Sequence, residues 1–333
     1  MHRHMRLLPS ALVLVIAVAA CTSVGDRYTP SSRTASSLSR PAVRYPVGSI
    51  YAVNNPGFSG GAVIIFAKGA NGNVAPIGTI SGLATTLSAP FRPVIDATGR
   101  IIVPNASGAI TIFAPGASGN VAPAVTISGV NTTLNFPECA ALDSAGDIYV
   151  ANSGANDILE FAAGASGNVA PIVTISGSNT LLSGPLCVAI GKTGKIYVGD
   201  NAHDILEFAA GANGNVAPVR HIIGVDTKIN RPAGIWLDAA QKIYIADEQA
   251  TAVIVFAKSA NGDAVPVKFI NGSATGLNGP AGGVVDASTR AYVANDLGNT
   301  ITAYAKGANG NIAPVRTIGG SKTGLASPDG VGI

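Results

Sequence analysis

The chain has 333 residues, of which 47% are hydrophobic, 12% charged and only 5% aromatic. It is long enough to bury a large core, and small or β-branched side chains must fill most of that core. The formal net charge is +3, but residues 49–333 contain 15 basic and 17 acidic residues. That part of the chain therefore lacks the positive field that attracts phosphate backbones, and we expect no nucleic-acid partner.

The first 20 residues are a predicted export leader. Basic residues precede an apolar run over residues 7–20, which is too short to span a membrane as a mature helix. Residues 18–21, Val-Ala-Ala-Cys, resemble the lipobox of bacterial lipoproteins, which implies acylation of the Cys21 sulfur and cleavage just before it. Because Thr22 follows, resemblance to Gram-negative lipoproteins implies the outer membrane.

An ordinary secretory signal with an incidental cysteine is the alternative interpretation of this leader. The segment that follows, residues 21–48, is rich in Ser, Thr, Arg and Pro and has no apolar periodicity. Such a composition predicts a flexible tether. The only membrane contact that we expect is therefore the lipid on Cys21.

A single unit repeats six times along the rest of the chain. Each copy contains a GNVAP-like pentapeptide, and the prolines of these segments are 47 or 48 residues apart. The six prolines are Pro76, Pro123, Pro171, Pro218, Pro266 and Pro314. A fixed period of this length indicates a repeat architecture in which each unit buries its apolar face against its neighbours.

One repeat contains four predicted strands. In the third copy, residues 137–143 and 147–151 are short runs joined by a Ser-Ala-Gly turn, the first apolar and the second rich in β-forming residues, and residues 158–162 and 169–175 follow across Gly- and Asn-rich loops. No segment has the 3.6-residue periodicity of a helix. Four short strands in a unit of this size are typical of one blade of a β-propeller.

The two ends of the repeat region complement each other. Residues 327–333 match the first strand of a blade and then stop, whereas residues 49–54 match the second strand and have no first strand before them. We predict that the C-terminal strand completes blade 1 and closes the ring without an open edge. The predicted fold is an all-β, six-bladed propeller over residues 49–333.

Two units of the chain resemble the NHL repeat family. They are PECAALDSAGDIYVANSGANDI at residues 137–158 and PAGIWLDAAQKIYIADEQATAVI at residues 232–254. The resemblance implies the propeller architecture over almost all of residues 49–333. It does not imply one activity, because related propellers include lactonases, lyases, RNA-binding modules and scaffolds.

The second strand of every blade ends in Asn or Asp. These residues are Asn54, Asn105, Asn152, Asp200, Asp247 and Asn295. A ring of metal ligands is one interpretation. The other is structural, because Asn and Asp side chains accept hydrogen bonds from the backbone of a tight turn, and six equivalent positions favour this second interpretation.

The candidate ligand-binding residues lie where the copies differ. Arg92, Glu138 and Asp329 occupy the loops at one end of the predicted channel, in the adjacent blades 2, 3 and 1. The other blades have Leu or Ala there. Blade 1 also has the longest loop between its second and third strands, which would present Phe58 on the same side. A paired set of charges beside an exposed Phe, without ligand, is the alternative.

Cys139 and Cys187 occupy equivalent positions in neighbouring blades. Export permits oxidation, and acylation of Cys21 would leave these two as an even pair. A disulfide requires Cα atoms less than about 7 Å apart, which equivalent positions in adjacent blades need not satisfy. The sequence therefore leaves a disulfide and two small buried thiols as open alternatives.

The sequence predicts no catalytic residue, metal site or cofactor. Only His203 and His221 follow the leader, predicted in a loop and the outer strand of blade 4, which gives no histidine cluster for zinc. Glu138 with Asn105, Asn152 or Asp200 only loosely imitates the divalent-cation set of lactonase-like propellers. The lone Trp236 is predicted to fill a gap between blades or plug the channel.

These patterns predict an exported, lipid-anchored binding or interaction module at the cell envelope. Its partner would be a protein, a glycan or a small molecule, and we expect a monomer. Two alternatives remain open at this point. One is a metal-dependent enzyme of the lactonase or lyase type that uses the same channel entrance, and the other is a ring-shaped scaffold without a small ligand.

Overall fold

The computed structural model describes residues 44–57 and 60–333, and contains six four-stranded antiparallel sheets arranged as the blades of a propeller. The leader, Cys21 and almost all of the predicted tether lie outside the described residues. Within the described part of the chain, no helix is both long and apolar enough to cross a membrane. The predicted six-bladed fold is therefore confirmed.

The two inner strands of each blade surround the central channel. The innermost strands, for blades 1 to 6, are β24 (Pro328–Gly332), β4 (Val94–Ile95), β8 (Pro137–Leu142), β12 (Pro185–Ile190), β16 (Pro232–Leu237) and β20 (Pro280–Val285). The second strands are β1 (Ile50–Asn54), β5 (Ile101–Asn105), β9 (Ile148–Asn152), β13 (Ile196–Asp200), β17 (Ile243–Asp247) and β21 (Ala291–Asn295).

The two outer strands complete each sheet. The third strands are β2 (Ala62–Phe66), β6 (Ala109–Phe113), β10 (Asp157–Phe161), β14 (Asp204–Phe208), β18 (Ala252–Phe256) and β22 (Thr300–Tyr304). The outermost strands are β3 (Gly78–Ser81), β7 (Val125–Ser128), β11 (Val173–Ile175), β15 (Arg220–Ile222), β19 (Lys268–Ile270) and β23 (Arg316–Gly319). Short 3-10 turns occupy Leu83–Thr85, Val130–Thr132, Ser153–Ala155, Ser178–Thr180 and Val225–Thr227.

Blade 1 contains strands from both ends of the described chain. Strand β24 pairs antiparallel with β1, and Tyr51, Ala52 and Val53 lie opposite Gly332, Val331 and Gly330. The sheet order is β24-β1-β2-β3. The predicted closure of the ring by the C-terminal strand is therefore confirmed, and it satisfies the backbone groups of β1 that would otherwise form an open edge.

The core lies between neighbouring blades. The third strand of each blade ends in a large aromatic side chain that is at most 1% exposed. These side chains are Phe66, Phe113, Phe161, Phe208, Phe256 and Tyr304. Around them, Ile, Val and Ala side chains from adjacent sheets form the apolar clusters. The low aromatic content is therefore sufficient to fill the core, because every blade has one large aromatic side chain at the equivalent position.

The GNVAP-like segments join each blade to the one before it. Asn120 of blade 2 accepts a hydrogen bond from the backbone N–H of Ala84, at 2.8 Å, in the turn that leaves blade 1. The backbone N–H of Gly119 donates to the carbonyl oxygen of Thr79, in the outermost strand β3 of blade 1. The contact recurs through Asn168, Asn215, Asp263, Asn311 and, from blade 1 back to blade 6, Asn73. These segments therefore link blades at the outer rim, in addition to forming turns.

A glycine before each of these turns makes the contact between blades feasible. Gly82 has φ 112°, and a Cβ atom there would lie 2.5 Å from Oδ1 of Asn120. Any other residue would suffer both backbone strain and a steric clash. The glycine that precedes each turn and the Asn or Asp of the following blade are therefore two halves of one inter-blade contact.

Replacing Asn120 by Ala should lower the free energy of unfolding by about 1 kcal/mol, because an inter-blade hydrogen bond is lost. We expect the melting temperature to fall by about 2–4 °C. Asn120→Asp is the matched control, since Asp263 already accepts the equivalent bond from Asp226 at 2.7 Å in blade 5. Equal melting temperatures for the Ala and Asp variants, measured by calorimetry, would contradict this role.

Candidate functional site

The loops that lead into the innermost strand and out of the second strand lie on one face of the ring, here called the upper face. Arg92, Glu138 and Asp329 meet there at the mouth of the channel, and we call them the entrance cluster. The structure brings these three residues together, and their role in ligand binding stays a prediction. Phe58, the fourth candidate, lies outside the described residues.

Arg92 lies across the channel because its equivalents in the other blades are small. The second residue after the proline at the entry to each innermost strand is Gly330, Arg92, Cys139, Cys187, Gly234 and Gly282 in blades 1 to 6. A Cβ atom at Gly330 would lie 2.5 Å from Cγ of Arg92, and one at Gly282 would lie 3.0 Å from its Nε. The guanidinium group therefore fills space that those two glycines leave open.

The hydrogen bonding of the entrance cluster is incomplete. Arg92 Nη1 donates to the carbonyl of Leu186 in blade 4 at 2.8 Å, whereas its Nε is 3.9 Å from Oδ1 of Asp329. The two side chains are only 12% and 17% exposed. Neither Arg92 Nε nor Asp329 Oδ1 has a hydrogen-bond partner. The entrance cluster therefore holds a buried donor and a buried acceptor that the protein itself leaves without a partner.

Glu138 is a buried carboxyl group beside this pair. Only 8% of the residue is exposed. Burial raises its pKa to about 7, since removal from water disfavours the charged form, while the Arg92 guanidinium opposes the shift and the Asp329 carboxylate adds to it. The hydroxyl of Ser153 donates to the Glu138 carboxyl group. Near neutral pH this group can therefore donate or accept a hydrogen bond.

Asp329 has a similar environment. Burial raises its pKa to about 6, the neighbouring Arg92 partly offsets that rise, and the Asn55 amide donates to its carboxyl group. Burial by itself would lower the pKa of Arg92, but the acidic groups around it outweigh that effect and the pKa is raised. Arg92 therefore stays charged while both carboxyl groups change protonation close to neutral pH.

A second set of polar residues surrounds the entrance cluster and was not singled out from the sequence. Asn55, Ser153, Glu248 and Asp296 each directly follow the Asn or Asp that ends a second strand. Arg231 forms an ion pair with Glu248. This set could have been identified in the sequence by comparing, among the blades, the residue that follows the Asn or Asp at the end of the second strand.

An aromatic pair lies next to the charged residues. The rings of Phe91 and Phe136 are 5.9 Å apart between centroids and tilted by 60°. Phe91 precedes Arg92, and Phe136 lies two residues before Glu138, so the aromatic pair borders the entrance cluster. Apolar surface beside a few convergent polar groups is typical of small-molecule sites.

The six residues that end the second strands have a structural role, as the sequence indicated. Each accepts a hydrogen bond from the backbone of the loop that enters its own blade, from Ser88 to Asn105 at 3.0 Å and from Ser183 to Asp200 at 2.8 Å, for example. The bonds to the other four are equivalent. Because these oxygens bind the backbone, they do not form a ring of metal ligands.

Cys139 and Cys187 are separate, buried thiols. The sulfur of Cys139 contacts the backbone of Val188 in blade 4, and that of Cys187 contacts the carbonyl of Pro232 in blade 5. Equivalent side chains in a ring point in the same rotational direction, so each thiol faces the following blade. This geometry explains why the two sulfurs do not meet, and the structure favours the buried-thiol alternative.

The remaining candidates have structural surroundings. His203 lies in a loop and His221 in the outer strand of blade 4, as predicted, and His221 Nε2 is 2.5 Å from Oδ2 of Asp204. Among the described residues, no three or more His, Cys, Asp or Glu side chains are grouped so that they could hold a metal ion. Trp236 stacks on Tyr244, with ring centroids 5.7 Å apart, between blades 5 and 6.

No known protein-family model and no curated protein matches this chain, so the NHL-repeat resemblance stays a prediction. Solved structures do match. A protein of unknown function from Bacteroides caccae has a TM-score of 0.61 at 12% identity, with 86% of this chain and 98% of that chain covered. A proposed 6-phosphogluconolactonase from Bacteroides uniformis has a TM-score of 0.56 at 18% identity, with 86% of both chains covered.

A structure of streptogramin B lyase has a TM-score of 0.50 at 16% identity, with 67% of this chain and 68% of that chain covered. At such low identity these similarities establish the propeller fold alone.

Proposed function

We propose that this protein is a binding module whose entrance cluster recognises a small polar ligand. The supporting observation is the arrangement of Arg92, Glu138 and Asp329, three charged side chains buried together with a donor and an acceptor left unpaired. Burying charges is costly, and apolar side chains would close a channel more stably. A binding site would explain why the protein keeps these charged groups buried despite the cost, because a ligand could form hydrogen bonds with them.

The chemistry of the site favours a ligand that carries hydroxyl or amino groups. Two carboxyl groups with pKa values of about 7 and about 6 can accept hydrogen bonds from such groups. The surrounding set adds Glu248 and Asp296, so acidic groups outnumber the two arginines. The pair Phe91 and Phe136 offers an apolar surface to the carbon skeleton. A saccharide or an amine of similar size combines these features.

The cell envelope is the proposed location. This part of the proposal rests on the leader and on residues 18–21, which lie outside the described residues and resemble a lipoprotein signal. The proposal also assigns the repeats to the NHL-like class. The upper face of an anchored ring would meet ligands or proteins outside the membrane.

Glu138→Gln should weaken ligand binding at least tenfold, because the amide cannot reproduce the carboxylate acceptor that we assign to the ligand. The measurement is a thermal-shift screen of neutral saccharides, amino sugars and alkyl amines, followed by calorimetric titration of each hit. Glu160→Gln is the matched control. Glu160 is a buried Glu of the same blade that pairs with Tyr149, outside the entrance cluster.

Unchanged affinity in Glu138→Gln would place the ligand elsewhere. No saturable binding by any class of compound would favour the ring-shaped scaffold. The location is checked with a Cys21→Ala chain, which should move from the membrane fraction to the soluble fraction of the exported protein. A chain that stays in the membrane fraction would contradict the proposed lipid anchor.

An enzyme of the lactonase or lyase type is a second candidate, and one observation favours it. A carboxyl group with a pKa of about 7 suits general acid–base catalysis at neutral pH, as Glu138 provides. Hydrolysis of small lactones that is lost in Glu138→Gln and kept in Glu160→Gln would favour this candidate. Binding without turnover would favour the module.

A further inference from the structure

The face opposite the entrance cluster, here called the lower face, concentrates basic side chains in three neighbouring blades. It contains the turns between the first and second strands and the turns that follow the third strands. In blades 5, 6 and 1 the second residue after the third strand is an exposed lysine, namely Lys258, Lys306 and Lys68. The equivalent residues of blades 2, 3 and 4 are uncharged, namely Pro115, Ala163 and Ala210.

Four more basic residues lie at the same level of blades 5 and 6. Lys268 and Arg316 begin the outermost strands β19 and β23, and Lys242 and Arg290 directly precede the second strands β17 and β21. These four residues and the three lysines above are here called the basic face. Within the described residues, only Arg290 of this set forms an ion pair, with Nη1 3.7 Å from Oδ2 of Asp286. Burial and the like charge of Lys242 lower the pKa of Lys268.

Few acidic groups balance the basic face. Among the described residues of blades 5, 6 and 1, Asp238 and Asp286 are the acidic residues at this level, and each accepts backbone hydrogen bonds of its own turn. The upper face of these blades has the opposite balance, and its acidic residues include Glu248, Asp296 and Asp329. The predicted lack of a positive field therefore holds for the sum of the charges and not for each face. Such a separation orients a protein at a charged surface.

A crevice of about 490 Å³ collects part of the basic face between blades 6 and 1. Lys68, Arg290 and Arg316 line it, together with residues 47–48 near the start of the described chain. The chain therefore enters the ring at the lower face. The preceding residues 21–44 contain four Arg and one Asp. The predicted tether is thus attached where the basic side chains are concentrated, and its sequence adds positive charge.

We propose that the basic face binds an anionic phospholipid surface, so that the ring lies with its lower face on the membrane and its entrance cluster directed away from it. Each basic residue near an anionic bilayer contributes about fivefold to the affinity. The proposal rests on the envelope location proposed above, and it adds a second membrane contact to the predicted lipid on Cys21. A nucleic acid is the other extended polyanion, but the attachment of the tether at this face favours the membrane.

Vesicle sedimentation tests this proposal. The protein is the predicted mature chain, residues 21–333, with Cys21→Ala so that no acyl chain contributes. It should bind vesicles of one part phosphatidylglycerol to two parts phosphatidylcholine, and bind pure phosphatidylcholine at least tenfold more weakly. The affinity should fall as the salt concentration rises. This assay measures the charge of the purified protein and not its location in the cell, so its failure is distinguishable from a failure of the fractionation experiment.

Two matched pairs of lysines separate the faces. Lys258→Gln with Lys306→Gln removes two exposed charges of the basic face and should weaken binding to the anionic vesicles at least tenfold. Lys228→Gln with Lys322→Gln removes two exposed charges from loops of the upper face and should leave the affinity nearly unchanged. Equal losses for the two pairs would mean that the net charge accounts for binding, and would overturn the proposal.

A dye on a single introduced cysteine reports which face meets the bilayer. Because Cys139 and Cys187 are buried, an environment-sensitive thiol dye should react with an exposed cysteine elsewhere. Ser259, beside Lys258, is exposed at the lower face, and Ser273, after the outermost strand of the same blade, is exposed at the upper face. With anionic vesicles, the emission of the dye should shift to shorter wavelength on Ser259→Cys and stay unchanged on Ser273→Cys.

Three further results would contradict the proposal. They are the absence of binding to the anionic vesicles, an equal emission shift at the two labelled positions, and displacement of the bound vesicles by duplex DNA at equal phosphate concentration. The last result would assign the basic face to a nucleic acid.

Discussion

Removing residues 327–333 should lower the melting temperature by about 10 °C or more and broaden the transition. The deletion takes away β24, exposes the hydrogen-bonding edge of β1 and uncovers apolar surface beneath Val331. Lost burial and lost backbone pairing together should reduce the free energy of unfolding by about 5 kcal/mol. Circular dichroism and calorimetry of the deleted chain provide the measurement.

A permuted chain is the control for this deletion. Residues 327–333 are moved in front of residue 49 and joined to it by the four residues Asp143–Gly146, so that Ser49 takes the place of Asp147 in the turn that connects the equivalent strands of blade 3. This chain has the same strands, so it should melt within a few degrees of the parent. A deleted chain that melts like the parent would contradict the role of β24 in closing the ring.

Arg92→Met should destabilise the protein by about 4 kcal/mol at pH 8, because two buried carboxylates lose their cationic neighbour while the apolar stem is kept. At pH 5 the cost should be much smaller, since both carboxyl groups are then largely protonated. The measurement is chemical denaturation of both proteins at a series of pH values.

The sign of this pH dependence follows from the raised pKa values. Glu138 has an ordinary pKa of 4.5 and a folded pKa of about 7, and Asp329 changes from 3.8 to about 6. The folded state binds these protons more tightly than the unfolded state. Stability from these groups is therefore complete below the unfolded pKa values and is lost as pH rises through about 6 to 7. Without Arg92, which opposes both shifts, that loss should be larger and extend to higher pH.

The double variant Arg92→Met with Asp329→Asn is the control for the charge argument. Removing one of the two carboxylates should recover part of the stability at pH 8 and little at pH 5. A cost of Arg92→Met that is the same at both pH values would mean that lost packing over Gly282 and Gly330, rather than charge, accounts for the effect.

The blade and its number could be derived from the sequence, because each strand is a local pattern and the pattern recurs at a fixed spacing. The incomplete units at residues 49–54 and 327–333 were sufficient to predict how the ring closes. The linking role of Asn120 could not be derived in this way. Its partner Ala84 belongs to the preceding blade, and the repeat alone does not say which neighbour a side chain meets.

The candidate site, too, could be derived only in part from the sequence. Glu138 and Asp329 were visible as charges at positions where blades 4, 5 and 6 have Leu or Ala, Arg92 was visible as a charge in the same loop of blade 2, and the structure brings the three together. The path of Arg92 across the channel was not visible, because it depends on glycines in blades 1 and 6 and on the carbonyl of Leu186. Glu248 and Asp296 were missed, because their approach to the site depends on where the loops lie around the ring.

The sequence by itself determined the all-β architecture, six blades and the exchange of a strand between the two ends of the repeat region. These features follow from short-range periodicity and from a repeat length that is kept along the chain. Only the tertiary structure decided which side chains meet at the axis and why the two thiols face different blades. Those contacts join strands from separate repeats, and their geometry arises when the ring closes and packs.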